Sequence, residues 1–470
     1  MAEKPILIIQ MQRLGDMVLT YPLMGWLARM HPRNPIWVVG EKHFFSELMD
    51  FSPDAVYFEH SASQALRQNA FHTVINISHR PEAMELAGSL DTDELVGAYV
   101  DKKSRNRFIR GDWQLYRASL TNNNRYNLFH WADMNALDSV SPRWMQATLW
   151  PQPQARKAGS SAHIGLFLGA SEKDKHPDAD FWTALARDLL AAGHKPALLG
   201  GAGEKSLGDE VARGLCAPAL NLTDRFSLRE LCRFIGGLDL FVTPDTGPMH
   251  LAAWTGVPVL NLSVGPVNAW ETGPFSPGNF VLRAALPCTG CWHCTQAKVA
   301  CKDCLNPGHT ARLIHEILAR EDARLARLDF PGQELLRTAR DAHNLYQLCR
   351  VTGDEQPRQI TALFWQAFFG HTLGSLPGEA LEKAWRSFAE GSPGNVPAFA
   401  KALVKLSRDI SAHFRSGHAS PVAREDFWAS FPLPLRPLTS FLHLKLQNGL
   451  FRHEAFTECL GLVERLIALF

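Results

Sequence analysis

The sequence predicts an α/β protein of two doubly wound domains followed by an all-helical extension. Three observations carry this reading. Short apolar runs recur at spacings that leave room for a helix between them, the pattern of right-handed β-α-β crossovers and a parallel sheet. The alternation stops once, around Pro151, Gln152 and Pro153 and the small, polar run 157–162, and then restarts. After about residue 330 the strand signals vanish, and helical periodicity punctuated by proline and glycine takes over. The division that follows is 1–155, 160–328 and 330–470, and 470 residues suffice for three such units.

In the first unit, 5–10 is a short apolar run suited to a strand buried on both faces. A loop around Arg13, Leu14, Gly15 and Asp16 leads into a helical pattern over 17–30, which the proline-rich run 31–35 ends. Residues 36–39, 55–58 and 73–77 read as further strands. In the second unit, strands are expected at 163–168, 196–199, 240–243 and 257–262, with helices over 178–192, 228–235 and 247–254. Two such domains would hold a ligand cleft between them, at the carboxyl ends of both sheets. The third unit carries aromatic clusters (Phe364, Trp365, Phe368 and Phe369; Phe427, Trp428 and Phe431) and apolar-periodic helices over 381–388 and 441–450.

Composition narrows the class. A net charge of +1 with 46% hydrophobic and 20% charged residues argues against a disordered tail, a collagen-like fibre or a strongly basic nucleic-acid binder. The N-terminus lacks the long apolar core and small-residue cleavage site of a secretory signal, and no stretch has the length of a membrane span. A cytoplasmic protein with reduced thiols is expected.

Four segments have chemistry. The strand at 240–243 runs into Asp245, Thr246 and Gly247 and then a helix, whose free amides and positive dipole end suit a diphosphate. The same residues also suit a plain capped helix with Asp245 as N-cap. Gly200, Gly201, Gly203 and Glu204 follow another strand, where glycines permit close approach of a ligand. Neither a dinucleotide fingerprint nor a Walker loop fits there, because Ser206 replaces the third glycine and Glu204 precedes Lys205. Lys173 and Lys175 lie in a loop beyond a strand, as phosphate-neutralising charges or as a solvated turn. Asp16 follows the first strand, where a carboxylate could take a proton from a hydroxyl or cap a helix.

In this order, Arg13-Leu14-Gly15-Asp16 with Thr20-Tyr21-Pro22, the lysine loop, the Gly-Gly-x-Gly-Glu turn and the Asp245-Thr246-Gly247-Pro248-Met249-His250-Leu251-Ala252 block resemble glycosyltransferase family 9, the ADP-heptose:lipopolysaccharide heptosyltransferases. The resemblance covers roughly residues 4–320. It implies a GT-B fold, with two Rossmann-like domains facing across a cleft, the acceptor on the N-terminal side and the nucleotide-sugar donor on the other. It also implies inversion at the sugar carbon without a catalytic metal. Carried over residue by residue, Asp16 matches the general base and Lys175 the lysine that meets the donor phosphates. Thr246 and Gly247 match the phosphate-binding helix start, Asp245 and His250 line the donor site, and Gly201 and Glu204 lie near the nucleotide. The implied partners are a nucleotide sugar, ADP-heptose first, and a lipid-linked or oligosaccharide acceptor, with no nucleic acid. Two departures stand out: Gln12, Arg13 and Leu14 replace the small hydroxyl residues common before the Gly-Asp pair, and the chain continues well past the family's usual end. A GT-B scaffold without transferase activity and a nucleotide-sugar epimerase of the same architecture are the alternative readings.

Within the loop 287–305, Cys288, Cys291, Cys294, Cys301 and Cys304 form paired C-x2-C units, with His293 nearby. Cys288, Cys291, Cys301 and Cys304 have spacings that could hold a structural zinc ion; a loop packed around reduced thiols is the other reading. The helical extension reads as a bundle packed on the transferase or as a surface for a partner or the inner face of the cytoplasmic membrane.

Overall fold

The computed structural model describes residues 3–153, 161–215, 219–353, 357–416 and 421–470. The expected boundaries at 155 and 160, and most of the linker run 157–162, lie outside these residues. The first sheet contains β1 (Ile6–Ile9), β2 (Ile36–Val39), β3 (Val56–Phe58), β4 (Ala70–Asn76), β5 (Asp91–Val100) and β6 (Arg107–Arg110), in the order β3-β2-β1-β4-β5-β6. All neighbours are parallel except β5 and β6. β1 is fully buried, as expected for a strand covered by helices on both faces.

The second sheet contains β7 (His163–Phe167), β8 (Lys195–Leu199), β9 (Leu220–Asn221), β10 (Leu240–Thr243), β11 (Val259–Ser263), β12 (Phe280–Ala284), β13 (Gln333–Arg340) and β14 (Tyr346–Thr352). Their order is β14-β13-β12-β11-β10-β7-β8-β9, with β12, β13 and β14 antiparallel. Strand order reverses between β1 and β4 in the first sheet and between β7 and β10 in the second. Ligands of open α/β sheets bind in the crevice at such switch points, beyond the carboxyl ends of the strands.

Two expectations need correction. The segment after 330 is not helical from its start, because β13 and β14 extend the second sheet. The Glu, Leu, Arg and Ala residues of β13 favour helix when read alone, and tertiary context overrides that preference. Glu334 is 1% exposed and accepts from Arg283 Nε at 2.6 Å and Arg350 Nη1 at 2.8 Å, so strand pairing satisfies its charge. The helical pattern at 17–30 is also two helices, Leu14–Val18 and Tyr21–Met30, and the first begins early enough to put Gly15 and Asp16 inside it.

The helices after 357 fold back on the N-terminal domain and share its core. Tyr116 packs against Phe369 and Phe441, with ring centroids 4.5 and 6.4 Å apart. Asn448 accepts from Ile109 N at 2.6 Å and donates to Ile109 O at 2.9 Å. Its amide thus stands in for a missing neighbour strand at the open edge of β6. Among the described residues, no helix is long and apolar enough to cross a membrane.

Candidate active site

The four strands that flank the two switch points all end at one cleft. Gln12 through Asp16 follow β1, His79 follows β4, Gly169, Ala170, Ser171 and Lys175 follow β7, and Asp245 through Gly247 follow β10. These residues, with Glu204 and Thr272, line a cavity of about 520 Å³ between the domains.

Asp16 occupies the first turn of its helix. Its Oδ2 accepts from Arg13 N at 3.2 Å, and its carbonyl accepts from Thr20 Oγ1 at 2.8 Å. Burial raises the pKa of this carboxyl above the usual carboxylate range, opposed by the charge of Arg117 and the Arg13 amide. The result is a proton acceptor more basic than a surface aspartate. Arg117 lies in the helix Asp112–Ser119, bonded to Ile77 O at 3.3 Å, with its guanidinium 5.3 Å from the Trp131 ring centroid.

Across the cleft, the helix Gly247–Trp254 is apolar and buried on almost every side, so its N-terminus opens inside the protein. Thr246, not Asp245, is the N-cap: its side chain accepts from Met249 N at 3.4 Å. Pro248 has no N–H to give, so the Thr246 and Gly247 amides are the donors left for an anion. Asp245 instead accepts from Thr272 Oγ1 at 3.0 Å, and its other oxygen lies 3.7 Å from His250 Nε2. Burial pushes Asp245 up to about 6, against the Thr272 hydrogen bond and the charge of Lys175. Burial brings His250 down to about 4, so the imidazole is neutral at physiological pH. Lys175 Nζ is 3.1 Å from Glu172 Oε1, and Arg13 Nη1 donates to Ser171 Oγ at 3.1 Å, joining the two domains at the cleft rim.

The cleft thus brings a lysine and a free helix N-terminus from one domain opposite a buried carboxylate from the other. The model of glycosyltransferase family 9 (heptosyltransferase) matches residues 113–300. That stretch resembles glycosyltransferase family 9. Among curated relatives, lipooligosaccharide heptosyltransferase 2 of Campylobacter jejuni is 31% identical over 134 residues, 27% of this chain and 41% of that protein. Lipopolysaccharide heptosyltransferase 2 of Escherichia coli K12 is 30% identical over 155 residues, 29% of this chain and 44% of that one. The chain thus spans less than half the length of these relatives in the matched region. The structure of E. coli ADP-heptose lps heptosyltransferase II shares the fold, with a TM-score of 0.52 at 19% identity over 68% of this chain and 99% of that one.

The residues singled out from the sequence converge in space, with one exception. Asp16, Lys175, Glu204, Asp245, Thr246, Gly247 and His250 all line the cleft. Gly201 does not; its amide donates to Glu204 Oε2 at 2.8 Å and so holds that carboxylate in place. Sequence reasoning missed Arg117, Glu271 and Thr272. Glu271 is 3% exposed and accepts from Asn124 at 2.8 Å and Asn127 at 2.9 Å, tying the N-terminal domain to the donor side. Burial raises it to about 8.

The cysteine loop sits beside the donor loop. Cys301 Sγ accepts from Gly265 N at 3.2 Å, and Lys302 Nζ donates to Lys173 O at 3.2 Å. Among the described residues, no group of three or more His, Cys, Asp or Glu is disposed to hold a metal ion. The tetrahedral set expected at Cys288, Cys291, Cys301 and Cys304 is therefore not formed, and the Cys301 thiol is engaged by the Gly265 amide instead. The eight described cysteines are free thiols.

The two cleft-lining helices touch through glycine. A Cβ on Gly247 would lie 2.5 Å from Leu14 Cδ2 and 3.0 Å from Leu14 Cβ, and one on Gly15 3.0 Å from His250 Cδ2. Gly247→Ala is expected to wedge the helices apart and lower kcat/KM by about 10²-fold, the scale of a small misplacement of reacting groups. Steady-state kinetics beside an ADP titration checks this; unchanged kcat/KM would mean the contact is not needed for closure.

Proposed function

We propose that this chain is an inverting glycosyltransferase that moves a sugar, heptose from ADP-heptose first, onto a lipopolysaccharide-core or related envelope glycan at the cytoplasmic face of the inner membrane. One observation carries the reading: Asp16 enters the cleft from one domain, and Lys175 and the Thr246–Gly247 helix start enter it from the other. Asp16 takes the proton of the acceptor hydroxyl as its oxygen attacks the anomeric carbon from the face opposite the diphosphate. The bond from that carbon to the diphosphate oxygen breaks, and the leaving charge develops against Lys175 and the free amides. His250, neutral beside Asp245, offers a hydrogen bond rather than a charge. Release of ADP from ADP-heptose with a core-oligosaccharide acceptor, within a panel of nucleotide sugars, tests the reading. Turnover with none of them would leave the scaffold alternative.

The pH profile is a second check. A base of raised pKa works only above that pKa, so kcat/KM should fall with acidification in a limb above the ordinary carboxylate value of about 4. Arg117 pulls the Asp16 pKa down, so Arg117→Met should move the limb to higher pH. A limb that stays in place in this variant would separate the titration from Asp16.

A further inference from the structure

A second cavity, of about 120 Å³, lies where the helical extension meets the N-terminal domain. The loop 122–126 forms one wall, Gly290 and Cys291 a second, and Leu433 and Arg436 a third. Two arginines, Arg125 and Arg436, line it, and no Asp or Glu is among its lining residues. Positive charge accumulates behind it. Arg358 is anchored on the carbonyls of Pro287 and Thr289 and on Thr289 Oγ1, close enough to Arg283 and Arg125 that these, with burial, bring its own pKa down to about 10. Arg283 shares its partner Glu334 with Arg350, so cations outnumber carboxylates here.

The cavity also carries unused neutral polarity. Asn124 is 3% exposed, and its Oδ1 has no hydrogen-bond partner. Arg436 Nε is likewise buried and unpartnered, although Nη2 donates to Ala429 O at 3.2 Å. Asn123 Nδ2 donates to Ser440 Oγ at 3.2 Å and pins the loop to the extension. A larger polar groove of about 460 Å³ shares Asn122, Asn123 and Arg436 with this cavity and continues past Ser440 and His443, with Glu425 at its side. Orphaned buried groups of this kind call for a partner, and the arrangement of paired guanidiniums with amides fits an anion carried on a hydroxyl-rich molecule.

We propose that this cavity binds the phosphate or carboxylate of an anionic sugar, held by Arg125 and Arg436, with the asparagine amides taking its hydroxyls. The placement deepens the transferase reading and rests on it for the identity of the ligand as part of the acceptor glycan. Asn124 connects the cavity to the reaction centre: it donates to Glu271, whose neighbour Thr272 holds Asp245. Part of the wall, Leu433 and Arg436, comes from the extension beyond the family 9 stretch, which gives that extension a role in choosing the acceptor.

The test is calorimetric titration of the full-length protein, saturated with ADP to block the donor phosphate site, with mannose 6-phosphate, mannose and inorganic phosphate in turn. Wild type should bind the sugar phosphate at least about tenfold more tightly than either component, and Arg436→Gln and Arg125→Gln should each lose about tenfold (1.4 kcal/mol). Circular dichroism and the ADP affinity of each variant report whether it is folded. Equal binding of sugar phosphate by wild type and both variants would overturn the assignment, and inorganic phosphate as tight as the sugar phosphate would overturn its sugar part. Failure of ADP to bind at all would count against the transferase reading, while the dependence of sugar-phosphate binding on Arg436 would still be read directly.

Discussion

Asp16→Asn is expected to lower turnover by about 10²–10⁴-fold, the usual contribution of a positioned general base, with ADP affinity unchanged. The substitution keeps the shape of the side chain and an oxygen that can accept from Arg13 N, so the helix start is preserved. What it removes is the ability to hold the acceptor's proton. Lys175, Thr246 and Gly247, the proposed phosphate contacts, stand on the other domain, and Asp16 touches none of them by hydrogen bond. Rapid-quench measurement of one turnover beside an ADP titration separates the two effects. A variant with near wild-type turnover would remove Asp16 from the chemistry, and one that lost ADP binding would make its role structural.

Arg340→Ala is expected to cost about 3–5 kcal/mol of stability, the range for breaking a buried ion pair from one side. The guanidinium lies 4.5 Å from the Trp150 ring centroid and 3.9 Å from that of Phe275. It donates to Phe275 O at 2.7 Å and approaches Asp133 Oδ1 at 3.5 Å. Asp133 is 1% exposed and belongs to the N-terminal domain, whereas Arg340 closes β13 of the donor-side sheet, so the pair fastens one domain to the other. Burial pushes Asp133 up to about 6 even with Arg340 beside it. A carboxyl raised in the folded state favours folding most when protonated, and that advantage is lost as pH rises through its folded pKa. Without Arg340 the folded pKa rises further, so the variant's deficit should be smaller near pH 4, where only the Phe275 and Trp150 contacts are lost, and grow through pH 6 and above. Urea unfolding across that range measures it, and a loss below about 1 kcal/mol at neutral pH would class the pair with surface ion pairs.

Most strands were legible because parallel strands covered on both faces are short apolar runs; β2 and β10 begin and end where their sequence does. Strands that carry charge were not. β5 opens on Asp91, Thr92, Asp93 and Glu94, and β13 buries Glu334 against arginines from two other strands. No single-strand pattern reveals such pairing. In the cleft, the motif residues could be read because each follows a strand that flanks a switch point. Arg117 and Glu271 could not, since their character comes from burial and from partners far along the chain: Asn124 lies 147 residues before Glu271. The capping of the donor helix went to Thr246 for a local reason, since the Asp245 carboxylate is drawn away by Thr272.

The cysteine-rich loop touches two places. Through Lys302 it braces the loop that carries Lys175, and through Gly290 and Cys291 it forms a wall of the cavity shared with the helical extension. One segment in contact with both proposed ligand positions is a physical route by which their occupancies could be linked. Whatever free energy a ligand in the cavity adds to nucleotide binding by shifting this segment, the nucleotide must return in the same amount to the ligand in the cavity.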